Sequence, residues 1–168
     1  MSTYLIFGGT GSLGRKLIQR LNGENITVYS RDEAKHWTIK NEMGQAAPKF
    51  LVGDIRDPQR VYEAIAQTRP TNIIIAAALK HVDTCEISPY ESIQTNILGT
   101  KNVIDSVNKL FSTSDWSQEE AKTVTFVSTD KACSPVNSYG MCKALSERLI
   151  TSQNPRATSL VFNAVRYG

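Results

Sequence analysis

Cysteine, histidine and long apolar runs are all scarce in this chain, and each scarcity excludes something. The three cysteines, Cys85, Cys133 and Cys142, are odd in number and lack the paired spacing of metal ligands, so neither a disulfide framework nor a zinc knuckle is expected. They read as reduced thiols, with Cys85 a packing residue. The two histidines, His36 and His81, are far apart, and no metal site is expected. No apolar run approaches the ~20 residues that a membrane-crossing helix needs. The opening "MSTYLIFGG" has no basic segment and too short an apolar stretch for a secretory signal. The net charge is only +3, with Lys and Arg scattered among acids, so there is no basic stripe for nucleic acid and no membrane-binding face. The expectation is a cytoplasmic protein without metal, membrane or nucleic-acid partners.

What is present is an ordinary apolar fraction of 40% over 168 residues, enough for one domain with a proper core. Apolar runs alternate with helical patterns. "TYLIFG" (3–8), "ITVYS" (26–30), "KFLVGD" (49–54), "NIIIAAA" (72–78), "VTFVST" (124–129) and "SLVFNAVRY" (159–167) read as strands. Between them, Leu13, Leu17, Ile18 and Leu21 fall at helical spacing before an Asn22-Gly23 stop. Residues 32–43 form a weaker helix. Asp57-Pro58 supplies an N-cap and a first-turn proline for a helix to about Gln67. "SPYE" (88–91) opens a long helix to about Phe111, with Ser88 as cap and with Ile93, Ile97, Ile104, Val107 and Leu110 near one stripe. Residues 112–123 read as a polar connection, and 137–152 as the last helix. This alternation calls for an α/β fold, a doubly wound parallel sheet with helices on both faces, whose ligands bind beyond the carboxyl ends of the strands.

"FGGTGSLG" (7–14) follows the first strand and opens the first helix, the context that gives a glycine pattern meaning. Residues without side chains let the backbone approach a pyrophosphate, and a helix N-terminus favours its charge. The fold is therefore expected to be Rossmann-like, with Gly8, Thr10, Gly11, Ser12, Leu13 and Gly14 at the cofactor. An NAD binder usually carries an acid at the end of the second strand. This chain has Ser30-Arg31 there, a hydroxyl and a guanidinium suited to a phosphate, which points to NADP. The bland alternative is that Arg31 is a solvated charge. Asp54 and Ile55 are expected at the adenine, and Ala76, Ala77 and Ala78 are small enough to admit the ribose and pyrophosphate.

Tyr139 and Lys143 stand four apart in the last helix, so they share a face. Beside a dinucleotide fold, the Tyr is a candidate base that takes a hydroxyl proton as hydride leaves. Its pKa would have to fall from ~10, which an ammonium such as Lys143 or an oxidised nicotinamide can bring about. Lys143 can also hold the nicotinamide ribose. Asp130 and Lys131 lie where the fifth strand ends, and a surface ion pair is the alternative there. Asn96, polar on an apolar stripe, needs a hydrogen-bond partner.

These residues carry a resemblance. "FGGTGSLG", "YSRDEAKHW", "GDIRD", "AAALKHV", "SPYESIQTNILGTKNVID", "STDKA", "YGMCK" and "VRYG" occur in the order found in the extended short-chain dehydrogenase/reductase superfamily. More narrowly, the chain resembles the carbon-5-inverting UDP-N-acetylglucosamine 4,6-dehydratases of polysaccharide biosynthesis. The resemblance implies that Tyr139 removes the sugar's 4-hydroxyl proton and that Lys131 removes the carbon-5 proton. It also implies that Asp130 is the acid for the departing 6-hydroxyl and that Thr129 orients the substrate. Asp130 would then need a raised pKa, which burial favours and the lysines oppose. Lys80 is expected in the site, on the loop after strand four, and His81 as a satisfied structural histidine. The expected partners are a UDP-sugar and further copies of the chain. The family's substrate domain has no counterpart before residue 168, so one NADP-binding domain over 1–168 is expected. A nucleotide-sugar 4-epimerase, a reductase and a non-catalytic dinucleotide-binding module stand as alternatives.

Overall fold

The computed structural model describes residues 1–114, 116, 122–153 and 159–168. Six strands, β1 (Thr3–Phe7), β2 (Asn25–Ser30), β3 (Lys49–Val52), β4 (Asn72–Ile75), β5 (Lys122–Thr129) and β6 (Leu160–Tyr167), form one sheet in the order β3-β2-β1-β4-β5-β6. Every pairing is parallel. This is the doubly wound, Rossmann-like fold that the alternation of strand and helix called for. The chain winds outward from β1 to β3 and then crosses back to β4, so the switch point falls between β1 and β4.

Strand periodicity sorts side chains to two cores. Leu5 and Phe7 of β1, Tyr29 of β2 and Ile73 and Ile75 of β4 pack with Val61, Ala64 and Ile65 of helix α3 (Pro58–Thr68). Val103, Ile104 and Val107 of α6 (Gly99–Thr113) and Ile150 of α7 (Ser138–Thr151) complete that core. The alternate residues, Ile6, Ile26 and Val28, meet Ile18 of α1 (Ser12–Arg20), with Leu17, Leu21 and Met43 at the margin. Met43 belongs to α2 (Glu33–Met43). Each such Ile or Phe, when fully buried, contributes about 1.5–3 kcal/mol.

Local signals explain three helix starts. Asp57 accepts from the Arg60 N–H ahead of Pro58, and Asp32 accepts from the Lys35 N–H ahead of α2. Asn137 accepts from the Gly140 N–H at the head of α7. Several expectations need correction. β4 ends at Ile75, so Ala76–Ala78 lie past the strand; Lys80 and His81 lie on the loop after it as expected, and a short helix α4 (Val82–Ile87) follows. The long helix does begin at Pro89, as α5 (Pro89–Ser92), but Ser88 makes no side-chain capping bond. Between α5 and α6 the turns widen to a π-helix over Ile93–Leu98. That extra residue per turn rotates the apolar stripe, so Ile93 is exposed while Ser92, Thr95 and Asn96 turn inward. The expected connection over 112–123 is shortened at both ends by α6 and β5, and its residues 115 and 117–121 lie outside the described residues.

The π segment has a structural use. The Asn96 amide donates to the Leu79 carbonyl at 2.9 Å, and its oxygen accepts the Leu79 N–H at 2.9 Å. The widened turn leaves the Asn96 carbonyl to accept from Thr100 and from Ser146 of α7. One buried residue thus ties the loop after β4 by its side chain, and α7 by its backbone carbonyl, to the π segment, and its amide has the partner that the sequence said Asn96 needed.

Candidate functional site

A cleft of about 310 Å³ opens at the carboxyl ends of the strands, over the switch point. Gly8, Thr10, Gly11, Ser12, Leu13 and Gly14 form one wall. The opposite walls hold Ser30, Arg31, Asp54 and Ile55, then Ala76, Ala77, Ala78 and Lys80, and at the far end Tyr139 and Lys143. The structure therefore brings all the sequence-nominated cofactor residues to one cavity. It also brings several that the sequence reading passed over, among them Lys35, Thr95, Ser128 and Tyr167. Lys35 was visible as a second cation one turn after Arg31. Tyr167 was not, because it reaches the cleft only through the β5–β6 register, which sets it opposite Thr129.

The glycine loop fits a dinucleotide on its own geometry. Gly8 has φ +82°, and a Cβ there would stand 2.6 Å from the Ala77 backbone, so this position both turns the chain and lets the two loops touch. A Cβ on Gly14 would meet Gly9 at 2.4 Å, which is how close α1 lies to the loop. At the head of α1, Gly11 supplies no side-chain cap and the first turn carries no acid. The helix N–H groups therefore face the cleft without an internal anion, as a pyrophosphate requires.

Charge at the end of the cleft around Asp54 is more committed than the sequence implied. The Asp54 carboxylate accepts from the Arg56 backbone N–H at 3.0 Å and from its guanidinium at 3.0 and 2.9 Å. The exposed Arg31 lies 3.5 Å from the same carboxylate. Burial raises the Asp54 pKa, yet the bonds from Arg56 and the charge of Arg31 outweigh it and hold the carboxyl below its ordinary value. Arg31 thus stands poised beside Asp54 at the mouth of the cleft, its guanidinium open to a second anion.

At the other end, Thr129 closes β5 and caps a 3-10 turn over Asp130–Ala132. Its hydroxyl donates to Asp130 Oδ1 at 2.9 Å, and the side chain stands near enough to the Tyr139 phenol to pull its pKa down. Lys131 Nζ lies 3.1 Å from Asp130 Oδ1. Thr129 is buried, whereas Asp130 and Lys131 stand exposed on the rim rather than in the cleft. α7 comes this near because residue 140 is Gly: a Cβ there would lie 2.3 Å from the Lys131 carbonyl oxygen.

The pKa pattern corrects two expectations. Burial pushes the Tyr139 phenol above its ordinary value, against the pull of Thr129. Lys143 Nζ donates to the Val127 carbonyl at 2.8 Å and sits 4.4 Å over the Phe126 ring. Asp130 is not the raised acid that the resemblance needs. The hydrogen bonds from Thr129 and Lys131 hold its carboxyl below the ordinary value. His81, expected to be satisfied, is an exposed residue at the head of α4 with no side-chain capping bond.

Lys143 is 3% exposed, and burial draws its pKa down to about 8. A lysine whose pKa falls on folding costs stability wherever the unfolded chain holds the proton more tightly. From 10.5 to about 8 the cost is about 3 kcal/mol, which is full below about pH 8 and fades as pH approaches 10.5. Lys143→Met should therefore stabilise the fold near neutral pH by about 1–2 kcal/mol, after ~1–2 kcal/mol for leaving the Val127 carbonyl without its donor. Denaturant midpoints at neutral and strongly alkaline pH test this. A variant no more stable than the native chain at neutral pH would show that Lys143 carries no such strain.

The family follows from these features together with the comparisons. The chain belongs to the polysaccharide biosynthesis protein family, whose model matches residues 4–168. It is 37% identical over 171 residues to the UDP-N-acetylglucosamine 4,6-dehydratase (inverting) of Campylobacter jejuni, covering 98% of this chain and 48% of that protein. It is 34% identical over 175 residues to the UDP-glucose 4-epimerase of Rickettsia rickettsii, covering 99% and 48%. It is 36% identical over 173 residues to a protein of Methanocaldococcus jannaschii named an uncharacterized membrane protein, covering 99% and 48%. Among solved structures, Pen from Bacillus thuringiensis superposes with a TM-score of 0.86 at 34% identity, over 99% of this chain and 50% of that one. The chain spans about half the length of the curated relatives it matches. Among the described residues, no helix is long and apolar enough to cross a membrane.

Proposed function

We propose that this chain is the cofactor-binding and catalytic part of an NADP-dependent nucleotide-sugar 4,6-dehydratase acting on UDP-N-acetylglucosamine with inversion at carbon 5. The observation that carries the reading is the turn after β5. There Thr129 donates to Asp130, which pairs with Lys131, and the same Thr129 side chain acts on the ionisation of Tyr139, so an acid–base pair stands beside the candidate redox tyrosine. A reductase or simple epimerase has use for the tyrosine but not for the Asp-Lys pair.

Bound in the cleft, the oxidised nicotinamide supplies a hydride acceptor and a positive charge. The chain's own residues do the rest. Tyr139 takes the proton of the 4-hydroxyl, and Lys143 anchors the nicotinamide ribose. The resulting 4-ketone acidifies carbon 5, and Lys131 takes that proton. Asp130 gives a proton to the oxygen leaving carbon 6. For this the proton the pair shares must sit on Asp130 and not on Lys131, 3.1 Å away; substrate covering the pair favours that transfer, because burial raises a carboxyl's pKa and lowers an ammonium's. Return of the hydride to carbon 6, with a proton to the opposite face of carbon 5, completes the inverted 4-keto-6-deoxy sugar. Exposed Tyr90, Ile93, Leu98, Met141 and Leu145, on the adjoining faces of the α5–π–α6 helix and α7, suit self-association.

The ionised state of Asp130 is the specific observation in favour of the second reading, a nucleotide-sugar 4-epimerase, which needs no acid at carbon 6. The deciding experiment supplies UDP-N-acetylglucosamine to a polypeptide that continues past Gly168 as the relatives do. A 4-keto-6-deoxy product supports the dehydratase, and a 4-epimer with carbon 6 intact overturns it.

For the cofactor, NADP+ should bind more tightly than NAD+, and Arg31→Ala should erase most of the difference. The contact is charge-assisted but exposed, so about 1–2 kcal/mol is expected. Equal affinity of the native chain for both dinucleotides would remove the NADP assignment.

A further inference from the structure

Helix α2 carries a buried histidine that the proposed chemistry does not use. His36 is 6% exposed, and its ring stacks on Phe50 of β3 with centroids 4.7 Å apart and planes at 27°. Its Nε2 lies 2.7 Å from Ser30 Oγ. Ser30 Oγ in turn accepts from Thr10 Oγ1 of the glycine loop at 3.4 Å. Ser30 and Thr10 line the cleft, with Arg31 and Lys35 beside them, whereas the imidazole sits behind them.

We infer that His36 is a specificity-determining residue that acts through Ser30, turning its hydroxyl into a donor towards a phosphate monoester on the adenosine ribose and coupling preference for NADP+ over NAD+ to uptake of a proton. The inference rests on the NADP reading above. A hydroxyl has one proton to give. If Nε2 is a bare lone pair, Ser30 spends that proton on the histidine and shows the cleft only lone pairs, which repel a phosphate dianion. If Nε2 carries a proton, it donates into Ser30 Oγ and frees the hydroxyl proton for the ligand. The imidazolium guarantees this arrangement and adds a positive charge behind the hydroxyl. A ribose 2′-hydroxyl both donates and accepts, so NAD+ is served by either state.

The surroundings leave room for the switch. Burial holds the ring below its ordinary pKa, while Asp32 and Glu33, the charges acting on it, pull the other way. β2 and β3 face it with Ser30 and Phe50, which carry no charge. Near neutral pH the ring is therefore mostly neutral, and a bound dianion raises its pKa. Affinity for NADP+ should then rise as pH falls from above the bound value towards the free one. The preference should grow about tenfold for each unit by which the phosphate raises the pKa.

The test uses this chain, NADP+ and NAD+. Calorimetry in two buffers of different ionisation enthalpy reads proton uptake directly, and affinities are measured between about pH 6.5 and 8.5, above the ~6 of a phosphate monoester's second ionisation. The expected result is uptake of a fraction of a proton with NADP+ and none with NAD+, and a preference that increases towards pH 6.5. The ligand phosphate gives the opposite sign, because binding as a dianion releases protons. His36→Gln places a permanent amide donor behind Ser30 and should keep NADP+ preference while flattening its pH dependence. A preference for NADP+ with no proton uptake and no pH dependence in the native chain overturns the role of His36 and leaves the NADP reading standing. No preference at any pH overturns both. The uptake measurement needs no variant, so a His36→Gln chain that fails to fold does not rescue the inference.

Discussion

Tyr139→Phe should abolish turnover while leaving the fold and dinucleotide binding intact. The substitution keeps a ring that is 9% exposed and packed at the head of α7, and removes only the hydroxyl. Without it no group in the cleft stands where an alcohol proton can leave with hydride, and a positioned base contributes ~10²–10⁴-fold. Neither the absorbance of reduced nicotinamide nor product should build up in a polypeptide that continues past Gly168. The pH profile adds a second readout. Burial raises the Tyr139 pKa, so the base is scarce at neutral pH, and the oxidation step should quicken as pH rises. That slope should vanish in Tyr139→Phe. Native turnover in the variant would remove Tyr139 from the chemistry and with it both the dehydratase and the epimerase readings.

The sequence made the architecture legible because its signals are local. Strand and helix alternate in period, Asp57-Pro58 and Asn137 announce helix starts, and a glycine run after an apolar strand has few other uses. The cleft followed, since a parallel sheet puts every strand's carboxyl end on one rim. What stayed hidden depends on contacts between distant segments. Ala76–Ala78 look like strand, yet β4 ends at Ile75, and the loop beyond it is held by Asn96, seventeen residues after Leu79. The π turn has no signature in composition, so the stripe through Ile93 was drawn on the wrong phase. His36 lies on a helix with little amphipathic pattern, and only the fold reveals that it backs Ser30. Ionisation was the least legible property. Tyr139 and Lys143 share a helix face as their spacing requires, but Lys143 Nζ is bonded to the Val127 carbonyl of a strand, and burial is what dominates the Tyr139 pKa. Asp130 is decided by a neighbouring hydroxyl and ammonium.

Lys131→Ala should separate elimination from redox. The variant leaves Tyr139, Thr129 and Lys143 in place, so hydride transfer at carbon 4 should persist and reduced cofactor should accumulate. Elimination should fall steeply, by the ~10²–10⁴-fold that a positioned base contributes. The same change removes the ammonium 3.1 Å from Asp130 Oδ1, one of the interactions that hold this carboxyl ionised. Asp130 should therefore become a readier acid in the variant. A fall in elimination despite that gain assigns the loss to the missing base. Solvent deuterium should enter carbon 5 with the native protein and hardly at all with Lys131→Ala. Asp130→Asn completes the comparison. It keeps the base, so exchange at carbon 5 should continue while loss of the 6-hydroxyl slows. An epimerase would respond differently, since 4-epimerisation never touches carbon 5 and Lys131→Ala would leave it at its native rate. Full dehydration with normal deuterium uptake in Lys131→Ala would transfer the base role to Asp130, whose carboxyl is already ionised for it.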